Sequence, residues 1–166
     1  PIPLAMTKKR PFSRSLLAAF RGIGYCLAYE RNMRIHMVAV LYVFAFSFFF
    51  EVSPTDYAVL FLTFALVLGA EMVNTALERL CDRDAQGFSQ WVKVIKDVAA
   101  GAVLVCALFA VGVGVCLFWQ PESLWGIWQY YTARWWRIPL LLASLGLAGA
   151  FVVWGPKPLW DRLFKR

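Results

Sequence analysis

The stretch Gly69-Ala70-Glu71-Met72-Val73-Asn74-Thr75-Ala76-Leu77-Glu78-Arg79-Leu80-Cys81-Asp82 follows directly on an apolar run of fourteen residues, Tyr57 to Ala70. Nothing in that run before Gly69 breaks a helix. Continued at 100° per residue, the helix carries Glu71, Asn74, Glu78 and Asp82 in one narrow arc. Carboxylates on the buried end of a membrane helix are expensive, so this face reads first as a functional site.

Composition sets the class. Of the 166 residues 61% are hydrophobic, well above the roughly 45–50% of soluble domains, and the mean hydropathy is +0.61. The net charge of +7 is unevenly spread: seven of the 17 Lys and Arg lie in residues 1–34, four in 77–97 and four in 155–166. That clustering flanks membrane spans on their cytoplasmic side and gives no stripe for nucleic acid. Cys26, Cys81, Cys106 and Cys116 show no paired spacing and read as small buried hydrophobes. Pro1 to Ala5, ahead of Met6, is a candidate tag remnant within a basic tail, residues 1–11. No cleavable signal is expected, because a long amphipathic segment follows that tail.

Phe12, Leu16, Phe20, Ile23 and Leu27 recur at helical spacing, with Arg14 and Arg21 opposite. Such a helix lies in the membrane interface. A polar knot, Tyr29 to His36, precedes an apolar run from Met37 to Phe50, and the first span is expected to begin near Arg34. Glu51 to Asp56 is an acidic turn without Lys or Arg and belongs outside. The second span starts near Tyr57. Asp82 to Trp91 reads as a polar loop, and Val98 to Trp119 as a third span with small residues for close packing. Gln120 to Arg137 reads as an aromatic interface connector, Ile138 to Trp154 as a fourth span, and Gly155 to Arg166 as a basic tail. The expected fold is an all-α integral membrane protein with a cytoplasmic N- and C-terminus. Arg134 and Arg137 would snorkel outward.

Depth then divides the polar face. The run before Glu71 supplies only ~21 Å of helix against ~30 Å of hydrocarbon, so Glu71 should lie inside the cytoplasmic edge and Glu78 about at it. On this topology Glu30, the Glu71 face, Asp82 and the pair Lys96-Asp97 converge on the inner boundary. Several carboxylates with one lysine suit Mg²⁺ whose shell is completed by phosphates. Glu71, the deepest, suits a general base acting on a hydroxyl. Glu71 and Glu78 stand ~10 Å apart along a straight helix, so they have separate roles. The familiar nucleotide signals are missing: no G-x-x-x-x-G-K-[ST], no G-x-G-x-x-G, no H-R-D or D-F-G set. On these grounds alone, structural polar contacts between helices remain an equal reading. His36, the only histidine, reads as a span-edge residue.

Glu71-Met-Val-Asn74-Thr-Ala-Leu-Glu78-Arg-Leu-Cys-Asp82 and Lys96-Asp97-Val98-Ala99-Ala100-Gly101-Ala102-Val103 resemble the prokaryotic diacylglycerol kinase/undecaprenol kinase family of small membrane lipid kinases. Ala19-Phe20-Arg21-Gly22-Ile23 and Glu30-Arg31-Asn32-Met33-Arg34-Ile35-His36 add to the resemblance, which covers about residues 12–119 and leaves 120–166 outside it. It implies a surface helix, three transmembrane helices per subunit, and a homotrimer with composite active sites. It also implies Mg-ATP-dependent phosphorylation of a lipid hydroxyl at the cytoplasmic face of the bacterial inner membrane. By it, Glu71 matches the general base, and Glu30 and Glu78 the metal-binding carboxylates. Asn74, Lys96, Asp97 and the loop Gly87-Phe88-Ser89, together with Glu30 and Glu78, match ATP-binding positions; Asn32 and Arg34 join Glu71 on the lipid side. The loop differs in identity from the diacylglycerol branch.

Arg34-Ile35-His36 and Ala99-Ala100-Gly101 are similar to the undecaprenol branch, whereas the diacylglycerol branch tends to carry an acid near His36 and a Ser near Ala100. Undecaprenol is therefore the expected substrate, with diacylglycerol the alternative. A non-enzymatic transport or structural oligomer is the competing class. The outer halves of the expected spans are apolar, so no polar path crosses the bilayer.

Overall fold

The structure is a computed structural model that describes residues 11–84 and 90–164. Among the described residues seven helices follow one another: α1 Phe12–Tyr29, α2 Arg31–Ser47, α3 Pro54–Asp84, α4 Gln90–Phe118, α5 Pro121–Thr132, α6 Arg137–Trp154 and α7 Lys157–Phe164. No strand occurs among the described residues. The chain is an all-α membrane protein. Three of its helices, α3 from Pro54 to Arg83, α4 and α6, are long and apolar enough to cross a bilayer.

α2, the first expected span, has 17 residues, which rise only ~25 Å. It begins three residues earlier than expected, at Arg31, and the turn Phe48 to Phe50 extends its apolar run. Its end is set locally. Ser47, fully buried, donates to Phe44 O at 2.7 Å and stands 3.3 Å from the Tyr57 hydroxyl.

α3 starts at a reciprocal cap. Asp56 N–H donates to Ser53 Oγ at 3.2 Å while Asp56 Oδ2 accepts from Ser53 N–H at 2.9 Å, and Pro54 occupies the first turn, where its missing N–H is harmless. The buried seam of α3 repeats every seven residues through Leu60, Val67, Asn74 and Cys81, with Glu71 and Thr75 beside it. Along that seam the chemistry changes from apolar to polar between Val67 and Glu71. α4 packs along α3, and its own buried pair, Ala99 and Val103, stands one turn apart. α6 buries no side chain; its apolar surface suits lipid.

Three further expectations change. The aromatic connector is itself a helix, α5, opened by Pro121 at its first position. Tyr130 and Tyr131 pack on Phe49 and Phe46 of the α2 end. Gln120 ties the outer turns together, accepting from Glu51 N–H and donating to Glu51 O, both at 3.1 Å. The basic tail contains a second unexpected helix, α7, which lies against α1. The expected loop from Asp82 is also shorter, because α3 runs through Asp84.

Candidate active site

Glu30 is the single non-helical residue between α1 and α2, with extended backbone (φ −103°, ψ 118°). This elbow brings the end of the amphipathic helix against α3. There Glu30 Oε1 accepts a hydrogen bond from Arg79 Nη2 at 2.6 Å. The arginine is half exposed and the carboxylate one-fifth exposed.

Down the polar face of α3 burial falls away in order. Glu71 and Asn74 are buried, Glu78 is half-buried, and Asp82 is exposed. Glu71 is only 2% exposed, and its Oε2 has no hydrogen-bond partner. Asn74 Nδ2 donates to Glu78 Oε1 at 3.1 Å, while the buried Asn74 Oδ1 is likewise without a partner. Glu71 feels the charges of both Glu78 and Glu30. The structure therefore groups Glu30, Glu71, Asn74 and Glu78 where α1, α2 and α3 meet.

Lys96 of α4 forms an ion pair with Asp82 across the inner ends of the two helices, and it also lies within the field of Glu78. Asp97, one residue on, is exposed. Gly87, Phe88 and Ser89 lie outside the described residues. Asn32 is exposed on the first turn of α2. Arg34, assigned to the lipid side, turns inward instead. It is buried, and its guanidinium donates to the carbonyls of Leu27, Ala28 and Val152 at 3.2, 3.1 and 3.0 Å. A cation at this depth is held by backbone oxygens, which compensate its lost hydration.

Three residues join the site that the sequence reading gave no role. Arg79 anchors Glu30. Thr75 is 3% exposed, and its hydroxyl faces the thiol of Cys26. Cys26 of α1 is buried beside it and near both carboxylates; burial chiefly, and then the Glu30 and Glu71 charges, push its thiol up from the ordinary value.

The donor set can be compared with what a divalent cation needs. Among the described residues no group of three His, Cys, Asp or Glu stands close enough to hold a metal alone. Mg²⁺ seldom uses such cages; it takes one or two carboxylates and fills the rest with water and substrate phosphates. Glu30 and Glu78 each spend one oxygen on a protein donor, and as hard, partly exposed oxygen ligands they fit that pattern.

The family model described as prokaryotic diacylglycerol kinase matches residues 17–118. The chain belongs to the prokaryotic diacylglycerol kinase family. A diacylglycerol kinase of Synechocystis sp. is 40% identical over 112 residues, covering 64% of this chain and 64% of that protein. An undecaprenol kinase of Bacillus subtilis is 33% identical over 107 residues, covering 64% of this chain and 87% of its own length. The chain thus spans less than two thirds of the Synechocystis relative. No solved structure matches it. The family match takes in α1 from Leu17 through the end of α4, including every candidate site residue, and leaves α5, α6 and α7 outside.

Proposed function

We propose that the chain is an ATP-dependent lipid kinase, transferring the γ-phosphoryl group to the hydroxyl of a membrane lipid alcohol. The observation that carries this reading is Glu71: a buried carboxylate with an unpartnered oxygen, set on the same helix face as partly exposed groups suited to a metal nucleotide. Family membership supplies the reaction class.

In this reading Glu71 Oε2 accepts the proton of the lipid hydroxyl as its oxygen attacks the γ-phosphorus in line with the leaving bridge oxygen. Burial keeps bulk water from competing for that phosphoryl group. Asn74 holds Glu78 in place through its amide, and Arg79 does the same for Glu30. Glu30 and Glu78 would hold Mg²⁺, which when bound neutralises charge on the phosphates. Lys96 offers a point charge to the same phosphates once exchanged from Asp82. Most of the acceleration in phosphoryl transfer comes from such positioning and electrostatics.

The preferred acceptor is undecaprenol, on the identities at Arg34-Ile35-His36 and Ala99-Ala100-Gly101, with diacylglycerol the alternative. The active unit is a homotrimer in the bacterial inner membrane, with its sites on the cytoplasmic face, where the clusters of Lys and Arg would lie. Transfer from labelled ATP in vesicles containing undecaprenol or diacylglycerol tests the reading, with Glu71→Gln in parallel. Label should enter lipid with the wild type and fall to background with the variant. Equal labelling of both samples removes Glu71 from the chemistry, and none with either lipid removes the kinase.

A further inference from the structure

The family match ends at residue 118, yet the segment beyond it returns to the elbow that carries Glu30. α6 packs on α2, and α7 packs on α1. Arg34 is the joint. Its Nη1 serves Leu27 O and Ala28 O at the end of α1, and its Nε serves Val152 O near the end of α6. Neither helix has a basic residue in its own last turn. One buried guanidinium therefore meets the unsatisfied carbonyls and partial negative charge of two helix termini at once.

Gly155 fits this joint on two counts. It ends α6 with φ +61°, the single positive φ among the described residues, and a Cβ there would stand 2.8 Å from Arg34 Nη1. Beyond it, α7 grips α1 from the other side. The Tyr29 hydroxyl donates to Asp161, Lys157 Nζ lies 5.3 Å from the Tyr29 ring centroid, and the Trp160 ring fills the space over Gly24. Tyr29 packs on Tyr25, and Tyr25 lies under Arg79, which holds Glu30. Contacts thus run without a gap from α7 to that carboxylate.

We propose that the C-terminal segment α6–α7 is a clamp in cis that fixes the α1–α2 elbow, with Arg34, Gly155 and Asp161 as positioning residues for Glu30. This rests on the reading of Glu30 as a metal–nucleotide carboxylate. It deepens that reading by making the metal affinity of the site depend on a segment outside the family match. A segment serving only as an extra membrane anchor would leave the elbow indifferent to Gly155 and Asp161.

The test uses the full chain in vesicles, with Cys81, Cys106 and Cys116 replaced by Ala so that Cys26 is the one thiol. Gly155→Ala strains the joint directly; Asp161→Ala removes the outer grip and leaves the joint itself untouched, so it serves if the first variant fails to fold. Cys26 sits one turn before Glu30 and is 5% exposed, so its alkylation rate reports whether the elbow opens. Release of the clamp should speed alkylation by roughly fivefold or more. Half-saturating Mg²⁺ should rise by about threefold or more, with kcat at saturating Mg-ATP held within about twofold. Unchanged alkylation in the folded variants overturns the clamp, and faster alkylation with unchanged Mg²⁺ dependence overturns its link to Glu30. A preparation that transfers no phosphate at all counts against the kinase reading alone, since alkylation still decides the clamp.

Discussion

Glu30 and Arg79 meet at 2.6 Å, joining the one extended residue between α1 and α2 to the polar face of α3. The contact spans 49 positions of sequence and ties the end of α1 to the candidate-site face of α3. As an ion pair it does little for stability, because Arg79 is half exposed and such pairs contribute about 0–1 kcal/mol. Its value lies in orienting a carboxylate.

Arg79→Ala should therefore separate the two effects. Thermal unfolding in detergent should shift by no more than about 1 kcal/mol, whereas loss of a residue that orients a metal ligand costs about 10–100-fold in metal affinity or activity. A Mg²⁺ titration of phosphoryl transfer checks it. Unchanged Mg²⁺ dependence would detach Glu30 from the metal.

The burial gradient along α3 predicts different kinetic signatures for its two glutamates. Glu71→Gln removes the proposed base and keeps the side-chain volume, so turnover should fall by about 10²–10⁴-fold with the KM for Mg-ATP little changed. Glu78→Gln should instead raise the Mg²⁺ needed for half-saturation and leave turnover largely recoverable at high Mg²⁺. Steady-state kinetics over a Mg²⁺ series distinguishes them, and identical signatures would contradict separate roles.

Much of this was legible because it is local. Glu71, Asn74, Glu78 and Asp82 share a face by helical spacing, and Glu71, next to the apolar run, is at its buried end. Thr75 stood inside the quoted motif but was given no role, because it stands 100° from Asn74 and becomes buried where α1 meets α3. Cys26 looked like one more apolar residue of an amphipathic helix. The role of Arg34 depends on Val152, 118 positions away, and no periodicity near Arg34 encodes that partner. α7 was hidden because eight residues with basic and proline content resemble a tail until Trp160 and Asp161 find α1.

Thr75→Val tests the residue that spacing overlooked. The buried hydroxyl faces the Cys26 thiol, a weak partner, so replacing it with a methyl of similar shape should move stability by no more than about 1 kcal/mol. If the hydroxyl serves lipid or phosphate during the reaction, transfer should fall at the same time. Full activity with little change in stability would make Thr75 a packing residue only.

Cys26 offers a pH readout of the same pocket. Burial, reinforced by the neighbouring Glu30 and Glu71 charges, raises its thiol above the ordinary value. Alkylation proceeds through the thiolate, so a raised pKa leaves less of the reactive form at neutral pH. In a background retaining only this cysteine, the rate should be low near pH 7 and keep climbing at pH values where an ordinary thiol has levelled off. Glu30→Gln removes one of the charges that oppose thiolate formation, so the climb should begin at lower pH. The sign is fixed by electrostatics: neutralising a nearby anion favours a second anion. A climb that stays in place, or moves to higher pH, would place Glu30 away from Cys26 in the membrane and break the elbow geometry on which the site depends.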